Sequence, residues 1–231
     1  MSIVQISLAK SKPISKVPTR QRSKGELTRE KILLATIEVL ANNGIKGTTH
    51  RAIAQHAGIQ LSLTTYYFKD INQLVQAAFQ LNSEYLRSKT SEIVGSVYYT
   101  LKNIDKNDLR KVSVKTDLCE KLSQMTANYL FTNVQQEAVY IAVEQLMNTT
   151  VKVNPKLKEI AKEHEISEMK PFTELASFFN KKDPDIDAQM MRTVFSQLQY
   201  YQLSLTPDKR SIEPMMKAIK KLLGWIMGLK N

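Results

Sequence analysis

The chain has 231 residues, 42% of them hydrophobic, with only 7 glycines and 7 prolines. That is enough to bury a proper core and too poor in turn formers for an all-β fold, so long helices are expected. Its 33 basic and 22 acidic residues leave a net charge of +11, which favours an anionic partner such as a phosphate backbone.

No apolar run reaches the roughly 18 residues of a membrane helix, so no membrane partner is expected. Gln5 and Ser7 interrupt the apolar N-terminus, which makes it too polar for a secretory leader, and a cytoplasmic location follows by default. Cys119, alone, has no cysteine partner for a disulfide or a metal site and is read as a small buried residue.

Residues 1–24 hold Lys10, Lys12, Lys16, Arg20, Arg22 and Lys24 and no acid. More than half of the excess charge therefore lies in the first tenth of the chain. With Pro13, Pro18 and several serines, this basic arm is expected to be disordered on its own, either a phosphate-binding segment or a solvated tail. A first helix is predicted from Thr28, an N-cap type, with Glu30 in its first turn and Leu33, Ile37, Leu40 and Ala41 on one apolar face. Asn42-Asn43-Gly44 ends it, Gly44 suiting the left-handed position after a helix, and residues 45–47 form a connector. A second helix runs from Thr48 or Thr49 to about Ala57, with Ile53, Ala54 and Ala57 inward. Gly58 permits a tight turn, Ile59 plugs the corner, a third helix covers about Leu61 to Tyr67, and Phe68 closes the core.

From about Asp70 the pattern is helical throughout, without repeats or a convincing strand. Asn72 to Leu86 is one helix, with a continuation to Leu101 past Gly95 left open, and Lys102 to Lys115 reads as a polar loop. Helices over Thr116–Thr132 and Gln135–Thr149 follow. Asn154-Pro155 opens another that reaches about Asn180 and is kinked or divided at Pro171. Lys181 to Pro184 breaks the chain. Ile186–Leu205 and Ser211–Leu229 form a final pair, separated by Thr206-Pro207-Asp208.

Residues 28–69 resemble the DNA-binding domain of TetR-family transcriptional regulators. The resemblance is carried, in order and spacing, by Thr28-Arg29-Glu30-Lys31-Ile32-Leu33, Asn43-Gly44, Gly47-Thr48-Thr49, Arg51-Ala52-Ile53-Ala54, Ala57-Gly58-Ile59 and Tyr66-Tyr67-Phe68-Lys69. It implies an all-α fold: a basic arm over 1–24, a three-helix DNA-binding domain with a helix-turn-helix over 25–70, and a helical ligand-binding and dimerisation domain over 71–231. It further implies a homodimer on a near-palindromic double-stranded DNA operator. A small-molecule effector of unknown identity would bind the C-terminal domain and release the DNA, making the protein a ligand-responsive repressor.

In a helix-turn-helix the second helix crosses the backbone and the third enters the major groove. Thr48 and Thr49 then offer hydroxyls and amides to phosphate, Arg51 reaches phosphate or a guanine edge, and His50 contributes a donor. Tyr66 donates its hydroxyl to phosphate with Lys69 beside it, while Tyr67 is either a DNA contact or part of the core. Gln60, Leu61, Ser62, Leu63 and Thr65 lie nearest the bases. Many family members carry Ser, Lys and Gly where this chain has Gln60, Leu61 and Ser62. Gln60 is a poorer N-cap, Leu61 is expected to meet thymine methyls or sugars, and Thr64 stands where a larger apolar residue is frequent, so packing there is expected to be looser.

Met125, Tyr129, Tyr140, Met147, Met169, Phe172 and Phe179 are the adaptable or aromatic groups that line apolar ligand cavities, and equally ordinary cores. Glu137, Glu144 and Gln145 are candidates to orient a polar ligand group or to face solvent. Met190, Val194, Leu198, Tyr201 and Leu205, with Ile212, Met215, Met216, Ile219, Leu222, Leu223 and Ile226, are expected to build an isologous four-helix dimer interface. No metal site is expected: His50 and His56 are six apart with no acidic or cysteine cluster, and His164 reads as a surface residue. With no Gly-rich phosphate loop or nucleophile–base spacing, neither an enzyme nor a cofactor is expected. The alternative is a small-molecule-binding helical protein whose DNA unit is degenerate, which the departures at Gln60 to Thr64 motivate.

Overall fold

The structure, a computed structural model, describes residues 23–105, 107–150 and 158–229, less the side chains of 158–161, 163, 164 and 167. The basic arm up to residue 22, the helix start at Asn154-Pro155 and the His164 side chain lie outside the described residues. Among those described the fold is all-α: α1 (Lys24–Gly47), α2 (His50–Ala57), α3 (Leu61–Tyr67), α4 (Ile71–Lys102), α5 (Val112–Gln136), α6 (Ala138–Thr150), α7 (Lys158–Phe179), α8 (Pro184–Ser204) and α9 (Ile212–Ile226). Single 3-10 turns at Asp108–Arg110 and Pro207–Lys209 precede α5 and α9.

Helix α1 starts one turn earlier than Thr28. Ser23 caps it, its hydroxyl accepting from the Glu26 amide at 3.2 Å while the Glu26 carboxylate accepts from the Ser23 amide at 2.7 Å. This reciprocal box satisfies two orphan donors, whereas Thr28 donates its hydroxyl to the Lys24 carbonyl inside the helix. At the other end the helix breaks at Gly44, as Asn42-Asn43-Gly44 foretells, but the geometry is φ 65°, ψ −178° rather than left-handed helical. One further turn, 45–47, then leads to Thr48. Gly58 does take the left-handed conformation, φ 60°, ψ 44°, and its amide and that of Ile59 bond back into α2.

Helix α4 is unbroken past Gly95, starting at Asp70, whose carboxylate accepts from the Asn72 amide at 2.9 Å. The expected loop 102–115 is shorter, since α5 begins at Val112. Helices α5 and α6 are separated by the single non-helical residue Glu137. Helix α7 runs through Pro171 as one helix rather than two.

Two buried clusters organise the packing. In the first, Ile32, Leu33, Ile37 and Leu40 of α1 meet Ile53 of α2, Phe68, and Leu74, Val75, Ala78 and Phe79 of α4; Val143 and Met147 of α6 complete it. Phe68 is buried and Thr64 fully so, its hydroxyl donating to the Leu61 carbonyl at 2.8 Å. The second joins Leu101 of α4, Leu118, Leu122 and Leu130 of α5, Met191 and Phe195 of α8, and Met215, Ile219, Leu222 and Leu223 of α9. Cys119 is buried there, and desolvation pushes its thiol pKa up. Each fully buried side chain of this size contributes about 2 kcal/mol of apolar transfer free energy.

The two turn glycines differ in tolerance. Neither a Gly44 nor a Gly58 Cβ would touch a neighbouring atom, so backbone strain alone sets the cost. Gly44→Ala forces alanine into a region essentially restricted to glycine and is expected to cost about 3 kcal/mol. Gly58→Ala is expected to cost about 1 kcal/mol, and Gly58→Asn less. Urea midpoints of the three variants check this; equal losses for the two alanines would contradict it.

Candidate nucleic-acid interface and ligand cavity

From Val39 to Lys69 the chain holds Lys46, Arg51 and Lys69 and no carboxylate. All three cations are exposed, as are Thr49, Gln60, Leu61, Ser62, Leu63, Thr65 and Tyr66. The helix-turn-helix thus turns an acid-free, donor-rich surface to solvent. Thr49 is the N-cap of α2, its hydroxyl accepting from the Ala52 amide at 3.1 Å. Tyr66 is 76% exposed and packs edge-on against half-buried Tyr67, ring centroids 5.2 Å apart, so Tyr67 belongs largely to the core and props Tyr66 outward. Arg29 sits 5.0 Å over the Phe68 ring, tying α1 to the end of α3.

Two residues expected at phosphate are placed differently. Thr48 is buried, and its hydroxyl donates to the Gly44 carbonyl at 2.8 Å, closing the break in α1. His50 is half-buried, with both ring nitrogens enclosed and without a hydrogen-bond partner, so its expected donor is not at the surface. Gln60 precedes α3 without a side-chain cap bond, yet α3 forms, started by the Leu63 amide bonding to the Gln60 carbonyl at 3.0 Å.

A cavity of about 510 Å³ lies between α4, α5, α6, α7 and α8. Its apolar wall includes Leu86, Ile93, Val94, Val97, Leu130, Ile141, Leu175 and Phe195, and Arg87, Ser91, Tyr98 and Lys170 stand at its exposed rim. Of the expected lining residues, Tyr129, Phe172 and Glu144 are present. Tyr140 instead stacks on Tyr85 at 4.0 Å, Met147 is buried in the first cluster, Met169 lies on the outer side of α7, and Met125 is half-buried outside the cavity. Phe179 packs with the second cluster. These residues satisfy the same helical spacing from the wrong face, which periodicity alone does not distinguish.

Polar groups punctuate this wall. The Tyr129 and Thr90 hydroxyls are 3.0 Å apart, and Arg192 lies 3.6 Å from Glu168. That contact is made by the enclosed Arg192 Nε, which at this separation stands just beyond hydrogen-bond distance of the carboxylate. Burial raises the Tyr129 phenol pKa, helped by the charges of Glu168 and Glu144; Tyr200, outside the lining, is raised by burial and by Glu144. Little in the residue pattern marks Thr90, Val94, Arg192 or Phe195 as lining residues. The available clue was an apolar stripe on α4 that continues well beyond the length needed to pack against α1.

Glu137 is buried below the cavity and does not line it. Its carboxylate accepts from the Tyr85 hydroxyl at 2.7 Å and pairs with Lys89 at 3.3 Å, while Asn82 donates to the Tyr140 carbonyl at 3.0 Å. Gln145 is exposed.

At the expected dimer surface the two helices part company. On α8, Met190 and Tyr201 are exposed and Val194, Leu198 and Leu205 half-buried. On α9, Met215, Ile219, Leu222 and Ile226 are buried within the chain's own second cluster, because this face of α9 packs on α5. The exposed apolar group of α9 is Trp225, with Lys221 5.2 Å over its ring. Among the described residues no group of three metal-ligating side chains occurs, and no helix is long and apolar enough to cross a membrane.

Residues 32–78 match the family described as bacterial regulatory proteins, tetR family. No curated protein matches the chain. Solved structures share the fold across most of its length. A TetR-family transcriptional regulator from Rhodococcus sp. is 16% identical, covering 87% of this chain and 99% of its own, with a TM-score of 0.64. A transcriptional regulator from Saccharomonospora viridis in complex with choline is 16% identical, covering 85% and 95%, with a TM-score of 0.62. A transcriptional regulator from Streptomyces coelicolor A3(2) is 21% identical, covering 85% and 98%, with a TM-score of 0.58. At these identities the likeness is one of fold.

The half-buried tyrosines Tyr129 and Tyr200 contribute to a pH dependence of stability. Tyr129 and Tyr200 ionise above the ordinary phenol value when folded, so the unfolded chain loses these protons first. Their contribution is complete below about pH 10 and is lost as pH rises beyond it. Urea midpoints are therefore expected to fall above that pH, and less so in Tyr129→Phe/Tyr200→Phe; a decline of the same size in the double variant would refute the assignment.

Proposed function

We propose that this chain, a member of the TetR family of bacterial regulatory proteins, is a homodimeric, non-enzymatic repressor that leaves its DNA operator when a small organic molecule occupies the cavity. The observation that carries the reading is α4 itself. Its first turns are core to the helix-turn-helix through Leu74, Val75, Ala78 and Phe79, and its next turns wall the cavity through Leu86, Thr90, Ile93 and Val94. A ligand that repositions the wall acts on the same helix that packs on α1 and on Phe68, the residue that follows α3. The cavity volume lies in the range of small-molecule sites, and its mostly apolar wall carries a few fixed polar groups, as such sites do. The choline held by the Saccharomonospora viridis regulator supports a small organic effector. The well-formed α2–Gly58–α3 unit favours a working DNA reader over a degenerate one.

Fluorescence anisotropy with duplex from upstream of the chain's own gene tests the reading. Sequence preference over random duplex at moderate salt is expected, and its absence would overturn it. Deleting residues 1–22 removes five cations and spares the Ser23–Glu26 box. Affinity is expected to drop and the log–log salt dependence to flatten, because fewer counterions are released. An unchanged slope would show the arm to be idle. Tyr66→Phe is expected to weaken all sequences alike, as loss of a phosphate contact should.

The dimer is proposed to form across the exposed stripe of α8 and Trp225 of α9. Met190→Asp/Tyr201→Asp changes only exposed residues. It is expected to give a folded monomer in sedimentation equilibrium with operator affinity reduced by orders of magnitude; a surviving dimer would place the interface elsewhere.

A further inference from the structure

Helix α3 is built inside out. Its fully buried residue is a threonine, Thr64, while Leu61 and Leu63 are 43% and 36% exposed. Two leucines left in water on a seven-residue helix are unfavourable for folding, and no neighbouring helix covers them. The rest of its solvent side is Ser62, Thr65 and Tyr66. Direct reading of guanine uses the paired donors of arginine or lysine, and α3 has neither; the amide that reads adenine is supplied by exposed Gln60, just before it. Arg51 and Lys69 flank α3, on α2 and after its last turn, where a helix-turn-helix meets phosphate. A protein partner for the leucines is disfavoured by this setting, since the surrounding surface from Val39 to Lys69 carries cations and no carboxylate.

We infer that α3 reads its operator by apolar contact: Leu61 and Leu63, with the Thr65 methyl, pack on the C5-methyl groups of thymine, and Gln60 recognises an adjacent adenine. The half-site is therefore A·T-rich at the positions facing α3. This rests on the DNA-binding reading above and adds the chemical group that is recognised. Thymine methyls are the one apolar feature of the major-groove edge, so leucines turned outward have a complementary surface there and nowhere else on a duplex.

The test removes only the methyl groups. The full chain is used to select duplexes from a randomised library, and the preferred half-site is remade with deoxyuridine in place of thymidine, which keeps every Watson–Crick hydrogen bond. Affinity is expected to fall about fourfold for each contacted methyl. Leu61→Ala and Leu63→Ala, both at exposed positions, should weaken the thymine duplex and leave the uracil duplex unchanged. Equal binding of the two duplexes, a G·C-rich half-site, or variants that weaken both duplexes equally would overturn the inference while leaving a DNA-binding regulator intact. Selection that yields no preferred sequence would overturn the regulator reading itself.

Discussion

The constraint on which the rest of this structure depends is the continuity of α4. From Leu74 to Val97 it is one helix, about 35 Å of rigid rod at the usual rise per residue. Its early side chains are buried among α1 and Phe68, and its later ones face an open volume. A break near Gly95 would have uncoupled the far end of the rod. Nothing breaks it, because a lone glycine inside so long a helix costs only about 1 kcal/mol.

A second link runs through α6. Val143 and Met147 are buried in the first cluster, while Ile141 and Glu144 line the cavity, so one helix of thirteen residues serves both. Its start is pinned by polar contacts rather than by packing. Glu137, Tyr85 and Lys89 form a chain of charge-assisted bonds in a place where an unpartnered carboxylate would be costly. Asn82 holds the Tyr140 carbonyl in the first turn of the same helix. Apolar contacts slide with little directional penalty, whereas these bonds fix the register of α6 on α4. The α4–α6 pair therefore behaves as a unit, and displacement of one against the other must break hydrogen bonds.

The helices and the turn at Gly58 were legible because spacing, caps and glycines are local signals. The Ser23–Glu26 capping box is an equally local signal, but it sits at the end of the basic run, where charge is the stronger pattern. Thr48 shows a different limit: a threonine at a helix start reads as an exposed cap, and only the break at Gly44 leaves a carbonyl for its hydroxyl to claim. The face of α9 that carries Met215, Ile219 and Leu222 was correctly apolar, yet a stripe says that a face is covered and not what covers it. The cavity wall was the least legible, since it collects Thr90, Arg192 and Phe195 from elements far apart in sequence. Tyr140 and Met147 show the same limit, being large and apolar on a neighbouring face of α6.

Helix α3 buries a threonine and exposes two leucines within seven residues. Exposed leucines and isoleucines also occur elsewhere, at Leu27, Leu34, Ile166 and Ile186, on longer helices that bury other apolar residues, and buried hydroxyls such as those of Thr36 and Ser123 bond back to their own helix carbonyls. In α3 the hydroxyl of Thr64 is sealed inside, satisfied by Leu61, and the leucines are turned out. Burying a satisfied threonine costs little, so Thr64 alone would be unremarkable. Two exposed leucines have no such compensation within the chain. On so short a helix they set local composition against the fold, and such conflicts are expected at functional sites. The reversal lies on the helix that a helix-turn-helix directs into the major groove, where Leu61 and Leu63 are free to meet another surface. On the proposed reading a duplex covers these leucines, which ties the composition of α3 to what it touches as well as to how the chain folds.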